Sequence, residues 1–379
     1  FSLTAGSDTA LSIDGSTGEV RLSDNPDYEL QDSYAFTLVA TDGAGNVGEQ
    51  GTVVTVQDVD EIPPSINAVE SSVQDQMVTL RYSENLSVAD RPDISSFTIR
   101  QDGLELQVSS ITIVDNTVQL AISTPLSAGA LQVSYAGLEL QDEAGNSAAS
   151  FSQIVVSDGY IRGVEVYLDA DGDGQADADE LLVGVTSNSN GEVIFEGDIG
   201  SADLIIKGGV NTDTGAVNEL SLSAPAGYSV INPLSTLVAQ VAKANESDED
   251  FSLDQAEQIV IASLGLELAE GQGLGKYDPL SDVSESSLNN RIATAQIATI
   301  LSVVVAAATD AETAVSAQAL VLGNLVTIIT DSAATNDSVV FDASTVAAIL
   351  TSPDSGTGGT SLVSSSSLVE LQSAVAQLE

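Results

Sequence analysis

The sequence predicts a multidomain protein in which all-β sandwiches are followed by a mixed β-plus-helical module. Three observations carry that expectation. Residues 1–157 are built of short β-branched runs separated by turn residues. The turns TDGAGN (41–46) and QDEAGN (141–146) echo each other 100 residues apart, as tandem units of similar size would. After about residue 231 the pattern changes to helical spacing with capping residues at its ends. A chain of 379 residues suits about two to four domains.

In residues 1–62, AFTLVATDGAGN and GTVVTVQDVDE read as strands around a turn. Phe36, Leu38 and Ala40 alternate against Ala35, Thr37 and Val39. The segment is short for a sandwich of roughly 100 residues, so a partial sandwich is expected. Pro63-Pro64 is stiff and cannot pair, which marks a linker. Residues 63–157 repeat the style in MVTLRYSENL, SFTIRQDGLEL, VSSITIVDN, TVQLAIS, ALQVSYAGLEL and ASFSQIVVSD. Runs at that spacing read as a second sandwich. Residues 158–379 form the mixed module, β-like to about 230 and helical from about 231. There Asn232-Pro233 is an N-cap with proline at the first helical position. Ser252 with Gln255 is a capping box, and Leu253, Ala256, Ile259, Val260 and Leu264 share one face up to Gly265. Asp282 with Glu285 repeats that logic before a helix to about 309, and another helix spans about 311–331. So little lies between those two helices that they should pair antiparallel. SPDSGTGGTS (352–361) reads as a flexible linker before a short closing helix.

Composition narrows the function. Lys plus Arg is 9 and Asp plus Glu is 56, a formal charge of −47. That balance repels nucleic-acid phosphates and anionic lipid. A hydrophobic fraction of 43% is too high for a disordered chain. The chain must therefore fold against its own repulsion, and bound Ca²⁺ offers relief through oxygen ligands. There is no cysteine, hence no disulfide and no thiol chemistry. The apolar run Ile297–Ala308 (IATILSVVVAAA) is 12 residues, short of the roughly 20 a bilayer needs, and reads as a core helix rather than membrane insertion.

One stretch carries a specific motif. Asp169–Glu180 reads D-A-D-G-D-G-Q-A-D-A-D-E. Asp169, Asp171 and Asp173 occupy positions 1, 3 and 5 of a twelve-residue EF-hand calcium loop, with Gly174 at 6, Gln175 at 7, Asp177 at 9 and Glu180 at 12. Alternate carboxylates wrap one ion, the glycine permits the sharp turn, position 7 gives its carbonyl and position 12 closes the shell. The plainer alternative is a solvated acidic turn. RGVEVYL (162–168) alternates like a strand, so a loop on a β-scaffold is expected, structural rather than sensory. Carboxylates also gather in the first unit: Asp27 and Glu29 in NPDYE, Asp42 in ATDGAGN, and Asp58, Asp60 and Glu61 in DVDEIPP. Reaching a junction from separate turns, they could share further ions. Ordinary solvation is the alternative there too.

The string LSIDGSTGEVRLSDNPDYE, with YAFTLVATDGAGN and VQDVDEIPP after it, resembles a cadherin-like repeat of large bacterial adhesins. The resemblance implies junctional calcium held by a D-x-E-type motif (Asp27, Glu29), a late aspartate (Asp42) and an acidic linker (Asp58, Asp60, Glu61). Residues 63–157 resemble the Ig-like units of the same adhesins through LRYSENL and LQDEAGN, which makes Glu84, Asp142 and Asn146 candidate ligands. Residues 158–379 are similar to a module of giant secreted adhesins of the repeats-in-toxin class. The matching strings are VYLDADGDGQADADE, IIKGGVNTDTG, LSAPAGYSVINPLSTLVAQV and LGKYDPL. These resemblances imply a calcium-stabilised, extracellular cell-surface segment in adhesion or biofilm formation, carrying several ions. Its partners would be neighbouring repeats and a surface glycan or protein. A pure spacer is the alternative.

Catalysis has little support. Without His or Cys the usual base and thiol nucleophile are missing, although two carboxylates could serve a polysaccharide-acting enzyme. GGVNTDTG (208–215) lacks the Lys-Ser/Thr ending of a phosphate loop. Tyr160, Tyr167, Tyr228, Tyr277, Phe195, Phe251 and Phe341 are expected in the core rather than facing a ligand.

Overall fold

The computed structural model describes residues 1–89, 91–101, 104–127, 131–197, 202–281, 287–308, 311–335, 337–351 and 362–378. The chain is a set of β-sheets followed by a helical C-terminal region, in two compact units: residues 1–63 with 143–146, and 64–142 with 147–379.

The first unit holds β1 (Ser2–Leu3), β2 (Leu11–Ile13), β3 (Val20–Leu22), β4 (Ser33–Thr41) and β5 (Val47–Thr55). One sheet runs β1-β4-β5 and a second pairs β2 with β3. The β4–β5 hairpin keeps register from Ser33↔Thr55 to Thr41↔Val47. Its core is slight: Tyr34 is the unit's one buried hydrophobic residue, and all of β5 is exposed.

The second unit opens with two sheets packed on one core. Its strands are β6 (Ile66–Ser72), β7 (Met77–Tyr82), β8 (Phe97–Gln101), β9 (Leu104–Leu106), β10 (Val108–Val114), β11 (Thr117–Ile122), β12 (Gln132–Tyr135) and β13 (Phe151–Val156). One sheet has the order β10-β11-β7-β6. Alternation decides which faces are covered: in β7, Val78, Leu80 and Tyr82 are buried and the residues between them half-buried. They share a core with Ile111, Ile113, Val118 and Leu120 of their own sheet, and with Ile99, Val133, Tyr135 and Phe151 of the facing one.

The remaining strands are β14 (Ile161–Arg162), β15 (Glu165–Asp169), β16 (Glu192–Glu196), β17 (Asp203–Lys207), β18 (Val210–Asn211), β19 (Leu222–Ala224) and β20 (Val230–Ile231). The facing sheet has the order β16-β13-β12-β8-β9, with β20 parallel on β13. β15-β17-β19 form a sheet of their own and β14 pairs β18. The boundary expected near residue 157 thus lies inside the second unit. Strand β13 explains why: Phe151 belongs to the first core, while Ile154 and Val156 belong to a second core that continues into the helices.

The helices are α1 (Pro233–Ala244), α2 (Leu253–Leu264), α3 (Ser287–Ala307), α4 (Ala311–Thr335), α5 (Ala343–Ile349) and α6 (Ser365–Ala376). Their starts follow local chemistry. Asn232 caps α1 in a capping box with Ser235, and Pro233 takes the first turn. Ser252 and Gln255 form the box of α2, which ends on Gly265 at φ 61°. The expected box of Asp282 with Glu285 and the linker at 352–361 lie outside the described residues. Side-chain bonds fix α1 to β19: Ser223 N–H donates to Thr236 Oγ1 at 2.9 Å, and Ser235 Oγ donates to Ser223 O at 2.7 Å.

Helices Ser287–Ala307 and Thr313–Thr335 are long and apolar enough to cross a membrane by length and composition alone. The expectation for 297–308 was a core helix, and α3 buries Ile297, Ile300, Leu301 and Val304 in the second core. It also buries Asn290, whose amide donates to Glu267 O at 2.7 Å and to Tyr277 Oη at 3.0 Å.

Between β13 and β14, burial pushes the Asp158 carboxyl up to about 6. Its folded-state value lies above the unfolded one, so its contribution is present at low pH and lost as pH rises through about 6. We predict that Asp158→Asn raises the Tm at pH 7.5 and leaves it nearly unchanged at pH 3, below the ordinary carboxyl value of 3.8. Thermal melts across that range check this; parallel wild-type and variant profiles contradict it.

Candidate metal centre

The acidic loop begins where β15 ends. Asp169 is the last residue of β15, paired across the sheet with Asp203 of β17. The chain returns to the same strand: Leu168 N–H donates to Glu180 O at 3.0 Å, and Tyr167 bridges Leu181. The first and twelfth positions are thereby brought together by backbone pairing. A strand leads into the loop and no helix follows it among residues 181–197.

Inside the loop the carboxylates hold the backbone in a curl. Asp169 Oδ2 accepts from Gly174 N at 2.9 Å, Asp171 Oδ1 from Asp173 N at 3.0 Å, and Asp173 Oδ1 from Gln175 N at 2.7 Å. Glu180 Oε1 accepts from Ala170 N at 2.8 Å and Oε2 from Asp177 N at 3.3 Å. Gly174 sits at φ 72°, where a side chain is strained, and an added Cβ would lie 2.8 Å from Lys243 Nζ.

Three properties fit a calcium ion. Ligand oxygens of Asp169, Asp171 and Asp173 lie within 4.8 Å of one another, the span of two oxygens across an ion at roughly 2.4 Å. Asp169 is buried, and its Oδ1 has no hydrogen-bond partner. A buried carboxylate oxygen left in that state is costly unless a cation satisfies it. The electrostatics agree. Burial, then the charges of Glu180 and Asp173, hold the Asp169 carboxyl above its ordinary value. Asp177 is raised by desolvation and then by Asp173, Glu180, Asp171 and Asp179. Each of these carboxylates lies in the field of the others.

Sequence reasoning missed three neighbours. Asp203 stands beside Asp169, its carboxyl raised by burial while its Oδ1 accepts from Ala226 N at 3.0 Å. Lys243 of α1 donates to Asp173 O, and Lys207 of β17 donates to Ala176 O at 3.2 Å. Two of the chain's few cations thus brace the loop's backbone. β17 (DLIIK) buries its three central residues and half-exposes Asp203 and Lys207 at its ends, and only its pairing with β15 places them at the loop; Lys243 arrives from a helix distant in sequence.

The other predicted ligands fall into separate groups. Asp27, Glu29, Asp58, Asp60 and Glu61 are exposed in the first unit. Desolvation and then the charges of Glu29, Asp58, Asp27 and Asp60 raise the Glu61 carboxyl, so these five share one neighbourhood. Asp42 holds the β4–β5 turn: its carboxylate accepts from Ala44 N, Asn46 N and Asn46 Nδ2 at 2.8–2.9 Å, which lowers its pKa. Asn146 donates to Asp60 O at 2.8 Å. In the second unit, Glu84 and buried Asp142 bring carboxylate oxygens within 4.8 Å of each other.

Residues 59–138 match a family described as a putative flagellar system-associated repeat. No curated protein matches the chain. Among solved structures, it is similar to the protocadherin gamma B2 extracellular cadherin domains 3–6 at 14% identity and TM-score 0.19, covering 60% of this chain and 65% of that one. The protocadherin gammaB7 EC3–6 cis-dimer structure gives 11% identity and TM-score 0.22, covering 61% of this chain and 65% of that one. The chain spans less than two thirds of each, and scores this low carry no argument.

We expect Asp169→Asn to act oppositely with and without metal. In calcium at about 100-fold over Kd it should remove about 3 kcal/mol of linked stability. In EDTA it should leave the Tm unchanged or higher, because a desolvated charge is gone. Paired melts check both arms; equal Tm values in calcium count against the site.

Proposed function

We propose that this chain is a calcium-stabilised extracellular segment of a bacterial adhesin. In this reading, rigid β units of cadherin-like and Ig-like sandwich type act as extenders. The module after about residue 158 belongs to the repeats-in-toxin class of adhesins and binds a surface glycan or protein in adhesion or biofilm formation. The observation that carries the reading is the Asp169–Glu180 loop, with its buried, unpartnered Asp169 oxygen and carboxylate oxygens of Asp169, Asp171 and Asp173 within 4.8 Å of one another. The charge of −47 gives calcium a second task, since a divalent ion offsets repulsion that few Lys and Arg can offset. The repeat-family match over residues 59–138 supports a tandem, extended organisation. The carboxylates around Glu61 and the Glu84–Asp142 pair are candidates for further ions. The reading includes no enzymatic activity, no nucleic acid and no membrane insertion.

The spacer reading is favoured by one observation. Tyr167, Tyr228 and Tyr277 of the module are buried, and Tyr160 is half-buried with its hydroxyl on Asp278 Oδ2 at 2.9 Å. None of the four offers a flat exposed ring to a sugar. A glycan array probed with the full chain in calcium separates the two readings.

The calcium claim has a direct test. Adding EDTA to the full chain should lower the Tm by several degrees, by about 3 kcal/mol for each site held at roughly 100-fold over its Kd. Calcium should restore it and magnesium should not, because the smaller ion dehydrates reluctantly and demands octahedral geometry. A Tm indifferent to EDTA would falsify the proposal.

A further inference from the structure

We infer that the open seam between β6 and β16 is a docking site for an extended peptide segment of a partner protein. A cleft of 580 Å³ lies there, lined by Asn67, Ala68 and Val69 of β6, Ile194 of β16, and Val183 and Val185. Strand β6 is outermost in one of the two packed sheets and β16 outermost in the other. Neither has a strand partner on its outer side among the described residues, so each leaves backbone donors and acceptors there. Two hydrogen bonds tie lining residues together: Ile66 N–H donates to Glu196 Oε1 at 2.6 Å, and Asn188 N–H donates to Glu192 O at 2.9 Å.

The second observation is Gln153. It sits opposite Ile194 in the β13–β16 pairing and lines the cleft. Only 2% of it is exposed, yet neither Nε2 nor Oε1 has a hydrogen-bond partner. A primary amide offers a donor and an acceptor side by side, the complement of one peptide group. Around it, Ile66, Val69 and Ile194 are half-buried hydrophobics against the first core. Val183 stands 88% exposed at the rim. Paired edges, an orphaned amide and apolar walls are what a strand with alternating apolar side chains would satisfy.

Charge selects the occupant. The ionisable residues lining the cleft are Glu192 and Glu196, and a second copy of a −47 chain would be repelled. The peptide is therefore neutral or basic. This inference does not depend on calcium in the acidic loop.

The test uses the full chain and a fluorescein-labelled, acetylated heptapeptide, Lys-Thr-Val-Thr-Val-Thr-Lys amide, read by fluorescence anisotropy in calcium and in EDTA. We expect saturable binding in both. Methylating alternate backbone nitrogens of the peptide should weaken it about tenfold or more, because strand pairing needs those donors. Gln153→Leu should weaken binding by a similar factor without lowering the Tm, since it removes an unpartnered buried amide. Three results would each overturn the inference: no binding up to about 1 mM, equal affinity for the methylated peptide or for a folded Gln153→Leu variant, or displacement of the peptide by di-N-acetylchitobiose, which would assign the amide to an acetamido sugar. Loss of binding only in EDTA would also overturn it, while leaving the calcium reading intact.

Discussion

Crowding of like charge is the constraint on which the rest of this structure depends. Fifty-six carboxylates face nine lysines and arginines, and ion pairs give little relief. Arg21–Glu19, Arg81–Glu70 and Arg100–Glu105 lie in the open, where such pairs are weak. The protein absorbs many carboxylates as local hydrogen-bond acceptors instead. Asp14, Asp42, Asp93 and Asp342 each take backbone N–H groups of their own turn or helix start, which lowers their pKa values. Where carboxylates are too dense for that solution, as at Asp169–Glu180, backbone bonds still shape the loop but leave one buried oxygen over. The lysines reinforce this division. Lys207 and Lys243 donate to carbonyls of the loop and steady its frame.

Apolar burial is distributed as unevenly as charge. The first unit rests on Tyr34 and one long hairpin. The second has two contiguous cores, the larger running from the β15-β17-β19 sheet through α1 and into α3 and α4. The acidic loop is attached to the well-packed end: Asp169 closes β15, β15 pairs β17, and β19 is bonded to the start of α1. A loop of uncompensated charge needs such a foundation, because repulsion within it would unravel a marginal support.

Local features were legible in the sequence and long-range ones were not. The N-cap at Asn232, the capping box at Ser252, the stop at Gly265 and the twelve-residue loop depend on residues a few positions apart, so spacing alone finds them. The alternation in β7 marks its buried face for the same reason. Lys243 reaches the loop across 70 residues, and no local pattern announces it. Asp203 could be suspected only once the pairing of β15 with β17 is known. Gln153 reads in sequence as one polar residue in an apolar strand; its lack of hydrogen-bond partners shows only in the folded structure. Asp42 shows the converse. Its motif suggests a metal ligand, and the same side chain also shapes a tight hairpin turn through three hydrogen bonds, so spacing alone does not separate the two roles. The echo of TDGAGN in QDEAGN expresses that turn chemistry as much as any ligand chemistry.

Strand β13 has a mechanical consequence. It contributes Phe151 to one core and Ile154 and Val156 to the next, and it pairs with β12, β16 and β20 together. A tether pulled from both ends would meet no swivel at this point. The load would act as shear on several hydrogen-bond ladders at once, and releasing the helical end would require tearing a strand out of the sheet before it. The first core and the second are therefore joined through a shared strand rather than through a linker.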